Sequence, residues 1–186
     1  MKSFLLAVLI TSACLSGCLF SENKEDQYQS IDDEIDVDEF SVHCLEHDNL
    51  ERCWLLLVPA ILNESTNIPL LVDIHGGGDD MYQQRWTSDF ANLSIEQGFI
   101  VAYPQGHDNL WNQAEGVIPG ANEEDVGFII KMIDEIKNNY TIDHSRIYVT
   151  GWSNGCGMAH RLAVQASDVF AAAGCMSMYQ FANVDT

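Results

Sequence analysis

The sequence predicts an α/β fold, a mostly parallel sheet with helices on both faces. Three observations carry the expectation. Short apolar runs at residues 70–75, 99–103 and 146–150 read as buried strands, amphipathic segments at helical spacing separate them, and glycines and a serine follow the ends of the runs. A strand buried on both faces reads as a continuous apolar run, and each crossover helix must hide one face of the sheet. In such sheets chemistry sits beyond the carboxyl ends of the strands, so the loops after His75, Tyr103 and Thr150 are expected to share one rim.

The elements follow in order. Residues 1–17 carry Lys2, an apolar run and a small-residue stretch, the layout of a signal peptide too short to anchor in a bilayer. Leu15-Ser16-Gly17-Cys18 resembles the lipobox of exported lipoproteins, which makes Cys18 the expected lipid-bearing residue and places the mature chain at the cell surface or outside the cell. Residues 18–39 are dense in carboxylates and poor in apolar runs, as expected of a solvated, disordered tether. The N-terminal and central part of the domain is then expected over 40–186. Residues 40–46 and 52–59 read as two strands joined by a polar connection. A helix is expected over 82–97, with Trp86, Phe90, Leu93 and Ile95 at roughly helical spacing and a stop at Gly98. After an irregular stretch at 104–122, Asp125 opens a helix whose apolar side holds Phe128, Ile129, Met132, Ile133 and Ile136. A strand at 146–150, a helix at 154–166 and a strand at 170–176 complete the pattern.

With 186 residues and 47% apolar content the chain is long enough to bury one sizeable core. Its formal charge of −20 argues against nucleic acid as a partner. No acidic loop has calcium-site spacing, and no metal is expected. Of six cysteines, Cys14 leaves with the signal peptide and Cys18 takes lipid, leaving four in an oxidising compartment. Cys44 and Cys53 flank the hairpin connection and are expected to bridge. Cys156 and Cys175 either form a second bridge or are small buried apolar residues.

Two motifs carry chemistry. Gly151-Trp152-Ser153-Asn154-Gly155 fits G-x-S-x-G between a strand and a helix, the context of a nucleophile elbow, which makes Ser153 the expected nucleophile. His75-Gly76-Gly77-Gly78 ends the strand at 70–74 and matches the glycine loop that supplies a further oxyanion donor. Gly77, with Gly78 as a possible second donor, and Asn154 are expected to hold the oxyanion through backbone N–H groups. His75 precedes the serine, whereas the base of this arrangement follows it, and it is read as a loop-shaping residue.

The motifs extend into a longer likeness. Residues 71–78, Tyr103-Pro104-Gln105-Gly106, Trp111-Asn112, residues 124–129, Asp143, residues 146–151, Ser153-Asn154-Gly155 and residues 158–163 together resemble the polyhydroxybutyrate depolymerase and feruloyl esterase family of α/β-hydrolases. The resemblance runs from about residue 70 to 173. It implies a secreted or surface esterase with a Ser-Asp-His triad, no cofactor, and polyester, feruloyl or acetyl ester substrates. Cys156 stands where the family often has a second glycine, and Gly157 where methionine is common. The acid and base implied by the family come after Ser153, yet His160 is the only later histidine and belongs to the elbow helix. The chain is therefore expected to be C-terminally truncated, with both partners beyond residue 186. Trp111, Trp152 and Tyr103 are expected near the rim as substrate-binding aromatics. The competing readings are a non-catalytic surface-binding lipoprotein on a hydrolase scaffold and a serine exopeptidase or acyltransferase of the same fold.

Overall fold

A computed structural model describes residues 40–62 and 67–178, all within one compact unit, Ile35–Thr186. The expected signal peptide, the lipid site Cys18 and the acidic tether lie outside the described residues. Strands β1 (Phe40–His47), β2 (Leu50–Leu57), β3 (Ile68–Ile74), β4 (Ile100–Pro104), β5 (Ile142–Gly151) and β6 (Ala172–Ala173) form one sheet in the order β1-β2-β4-β3-β5-β6. The β1–β2 and β2–β4 pairs are antiparallel, and β4, β3, β5 and β6 pair in parallel. The chain leaves β3 to one side for β4 and returns to its other side as β5. That reversal opens a crevice at the carboxyl ends of β3 and β5, where the two chemical motifs lie.

Helices α1 (Met81–Thr87) and α2 (Phe90–Gln97) follow β3, while α3 (Asp125–Asn139) and α4 (Asn154–Gln165) flank β5. Successive side chains of a strand point to opposite faces, and the core divides accordingly. Leu70, Val72, Ile74, Ile100 and Ala102 pack with Phe128, Met132, Met158 and Leu162 of α3 and α4, whereas Val101 and Tyr103 pack with Leu55 and Met81. Burying a side chain the size of Phe128 contributes roughly 1.5–3 kcal/mol, which is why the apolar stripe of α3 fixes that helix on the sheet.

Three elements differ from expectation. The polar hairpin connection is a two-residue turn, because Asp48 and Asn49 adopt left-handed φ values of 52° and 62° that their short side chains tolerate, and the strands run up to it. The single helix expected over 82–97 is two helices. Ser88 ends α1 in extended conformation and its hydroxyl donates to buried Asp73, so the chain turns inward before α2, and Trp86 and Leu93 are exposed. The strand expected over 170–176 shrinks to Ala172–Ala173 plus one bridge between Trp152 and Met176.

Asp73 gives a pH-dependent term in stability. Its carboxylate sits beneath α1, accepting from Gln84 Nε2 at 2.8 Å and Ser88 Oγ at 2.6 Å. Burial outweighs these two bonds and lifts its pKa to about 6 from 3.8. The folded state then holds the proton more tightly than the unfolded chain. This contribution to stability is fully present below about pH 3.8 and is lost as pH rises through about 6. Its size is on the order of 3 kcal/mol. Asp73→Asn is expected to remove that slope from denaturant melts between pH 4 and 7; an unchanged slope would mean that Asp73 titrates normally.

Candidate active site

Ser153 stands between β5 and α4 at φ 52°, ψ −119°, a conformation that costs a residue with a Cβ roughly 1–3 kcal/mol. The flanking glycines show what fixes it there. A side chain at Gly155 would meet the carbonyl oxygens of Ile74 and His75, and one at Gly151 would meet the carbonyl of Gly155. The first turn of α4 therefore presses directly against the end of β3. Ser153 N–H donates to Met176 O at 2.9 Å, and Ser153 O accepts from Gly157 N at 3.1 Å. The serine side chain is carried at the N-terminus of α4, where unpaired N–H groups and the positive end of the helix dipole favour developing negative charge.

The glycine loop after β3 lies beside this turn. Gly76 packs against the Trp152 indole, and Gly77 sits against the Asn154 side chain, where an added Cβ would lie 3.4 Å from Asn154 Cβ. Gly77 and the start of α4 thus face each other across the site. Gly78 does not serve as a second oxyanion donor: its N–H donates to Asn109 O at 2.8 Å, with its own φ at +85°. That commitment leaves Gly77 as the candidate donor from this loop.

His75 is fully buried and shapes the loop. Its Nδ1 donates to Gly76 O at 2.7 Å, its Nε2 accepts from Gly106 N at 2.9 Å, and its ring lies 5.0 Å from that of Trp111. A ring that donates at one nitrogen and accepts at the other is neutral, and burial lowers its pKa in the same direction. Two clefts, one lined by Val58, Leu62 and Tyr140 and another by Leu71, Phe99 and Tyr148, open at the amino ends of the parallel strands, away from Ser153.

Residues 52–186 match the family model described as esterase PHB depolymerase. The chain belongs to this esterase family. It is 32% identical over 117 residues to a bifunctional acetylxylan esterase/xylanase of Neocallimastix patriciarum, covering 61% of this chain and 16% of that one. It is 35% identical over 106 residues to feruloyl esterase B of Piromyces equi, covering 56% and 20%. A solved thermostable esterase superposes with a TM-score of 0.61 at 26% identity, covering 74% of this chain and 40% of that one. The chain thus spans less than a third of the length of these two curated relatives, and its fold is that of the α/β-hydrolases.

Within this esterase-family fold the expected aromatics separate. Tyr103 and Trp111 are fully buried and offer no face to a ligand, because the ends of β4 and the following loop turn inward under the glycine loop. Trp111 instead fixes the elbow, since its N–H donates to Asn154 Oδ1 at 2.8 Å, its carbonyl accepts from Asn154 Nδ2 at 3.0 Å, and its Nε1 donates to His75 O. Trp152 is half-buried at the rim, with Nε1 3.3 Å from Asp79 Oδ2. His160 is half-buried on α4. Cys44 and Cys53 face each other in the β1–β2 register and are bridged, as are Cys156 and Cys175.

Several positioning residues escape a reading of the sequence. Gln105 ties the loop together, donating to Gly106 O and Asn109 Oδ1 and accepting from Met81 N. Arg52 and Asp125 form a fully buried pair at 2.6 Å, and Asp125 also accepts from Asn112 N at 2.8 Å. Burial raises the Asp125 pKa, with the Asn112 N–H and the Arg52 charge opposing it. The signals for this pair in the sequence are an arginine opening an apolar strand and an aspartate opening a helix.

Proposed function

We propose that this chain is the nucleophile-bearing part of an exported serine esterase that cleaves carboxylic esters through an acyl-enzyme on Ser153. The observation that carries the reading is the elbow: a serine held at positive φ at the head of α4, with Gly77 and Asn154 placed side by side next to it. Ser153 Oγ attacks the ester carbonyl, and the N–H groups of Gly77 and Asn154 receive the developing oxyanion. The alcohol leaves, and water releases the acid. Among the described residues no histidine hydrogen-bonds Ser153, since His75 is committed to Gly76 and Gly106. The base that takes the Ser153 proton is therefore proposed to come from outside the described residues. Half-buried Trp152 is the rim aromatic proposed to touch substrate. The family resemblance supports polyhydroxyalkanoate, feruloyl or acetyl esters as the substrate class, and the lipobox supports a mature N-terminus at Cys18 carrying lipid.

The test uses protein exported from its full reading frame. A fluorophosphonate probe is expected to label Ser153, with the labelled peptide mapped by mass spectrometry, and a panel of acetyl, feruloyl and 3-hydroxybutyrate esters is expected to yield acid. The same spectra report whether the N-terminus is lipid-bearing Cys18. A folded protein that binds sugars or esters yet leaves Ser153 unlabelled would instead be the non-catalytic surface binder.

A further inference from the structure

Beside the elbow, Cys156, His160 and Cys175 converge, with their sulfur and ring-nitrogen atoms all within 4.8 Å of one another. Cys156 lies in the first turn of α4, three residues after Ser153, and its disulfide partner Cys175 lies just past β6, with a Cα–Cα distance of 4.8 Å. The stretch that carries Cys175 is joined to β5 and the elbow by three backbone bonds. Gly174 N donates to Val149 O at 2.8 Å, Met176 N donates to Gly151 O at 3.0 Å, and Met176 O accepts from Ser153 N at 2.9 Å. The last of these is the acceptor for the backbone amide of the nucleophile itself.

Among the described residues little else holds that stretch. Its strand, β6, is two residues long, its further pairing is a single bridge between Trp152 and Met176, and Ser177 follows at φ 64°. A Cβ added at Gly174 would meet only the Thr150 side chain among the described residues, and half of the Met176 surface is exposed. Among the described residues the stretch makes few apolar contacts, and a segment held this lightly opens at low free-energy cost. Fraying here would remove the acceptor of Ser153 N–H at a residue already held in a costly conformation.

We infer that the Cys156–Cys175 disulfide is a positioning element for the nucleophile: it holds residues 174–178 against the elbow so that the Ser153 amide keeps its acceptor and its hydroxyl stays in register with Gly77 and Asn154. The inference rests on the reading of Ser153 as nucleophile. Reduction by a dithiol breaks the S–S bond, forms two cysteine thiols and converts the dithiol to its cyclic disulfide. The tie is then lost while the fold's core, built on α3, α4 and the central strands, remains. His160 Nδ1, buried and without a partner among the described residues, lies beside the sulfurs, so the reduced trio presents two thiols and an imidazole. That set is also one that zinc takes, which the test must separate.

The experiment compares the oxidised full-length protein with its dithiothreitol-treated form and with Cys156→Ala/Cys175→Ala, in a Cys44→Ser/Cys53→Ser background. The Cys44–Cys53 bridge lies across the β1–β2 hairpin, and its removal is expected to leave kcat unchanged. Loss of the Cys156–Cys175 bridge is expected to lower kcat about 10- to 100-fold, the cost of misplacing a reacting group by about 1 Å, with KM within about twofold. The fluorophosphonate labelling rate is expected to fall in parallel, circular dichroism to stay unchanged at the assay temperature, and reoxidation to restore only the cysteine-containing protein. Hydrogen exchange at the Ser153 and Met176 amides is expected to accelerate. That readout needs no activity, so it tests the tie even where Ser153 proves unlabelled in the oxidised protein and the esterase reading falls. Unchanged kcat and exchange after demonstrated cleavage of the bridge would overturn the inference. So would a kcat loss that tracks the unfolded fraction, or free thiols with stoichiometric zinc in the protein as isolated.

Discussion

Ser153→Ala is expected to lower kcat/KM by a factor of about 10⁴ or more without changing stability, whereas Ser153→Gly is expected to lose the same activity and gain about 1 kcal/mol of stability. The two variants separate chemistry from conformation. Alanine removes the hydroxyl but keeps the Cβ, so it inherits the strain at φ 52°, ψ −119°. Glycine removes both and adopts this backbone freely, with part of the gain offset by the greater freedom of its unfolded chain. Steady-state rates on a short acyl ester and denaturant melts measured side by side give both numbers. Ser153→Ala protein that hydrolyses at the wild-type rate would end the nucleophile assignment. A Ser153→Gly protein less stable than wild type would show that the elbow is not strained.

What the sequence makes legible are features that repeat along the chain or sit within a few residues of one another. The strands around β3, β4 and β5 are written as apolar runs, α3 as a stripe at helical spacing, and the elbow and glycine loop as contiguous motifs. The break between α1 and α2 escapes because it depends on Asp73, a buried carboxylate on another element that draws Ser88 inward. Trp111 and Tyr103 mislead for a related reason. An aromatic residue past a strand end serves equally as a binding platform or as core, and the decision rests on whether its loop folds inward, as the contacts of Trp111 with Asn154 and His75 make it do. Gly78 fails as a donor because of Asn109, 31 residues further on, whose carbonyl takes its N–H. Cys156 and Cys175 leave two readings open in the sequence because their pairing depends on how a two-residue strand returns to α4.

Asp125→Ala is expected to destabilise the protein by about 3–5 kcal/mol, the cost of leaving one member of a buried ion pair uncompensated. Both side chains are almost wholly withdrawn from water, with relative exposures of 2% for Arg52 and 1% for Asp125. Without the carboxylate, the Arg52 guanidinium retains Gln105 O at 3.3 Å and the face of Phe128, 4.1 Å from the ring centroid, and neither neutralises its charge. Asn112 N–H loses its acceptor in the same step, although Arg161 still holds the Asn112 carbonyl. Asn112 adjoins Trp111, which clamps the Asn154 side chain at the head of α4, so the damage reaches the site through a short chain of contacts. Replacing both partners by apolar residues of similar volume, Arg52→Met with Asp125→Leu, removes the buried charge together with its countercharge. That double variant is expected to recover most of the stability lost by Asp125→Ala, leaving the Asn112 N–H as the residual deficit. Urea melts of the wild type, Arg52→Met, Asp125→Leu and the double variant provide the thermodynamic cycle, with Asp125→Ala measured beside them. A loss below about 1 kcal/mol for Asp125→Ala would show that water reaches Arg52 and that the pair is not the buried brace its geometry indicates.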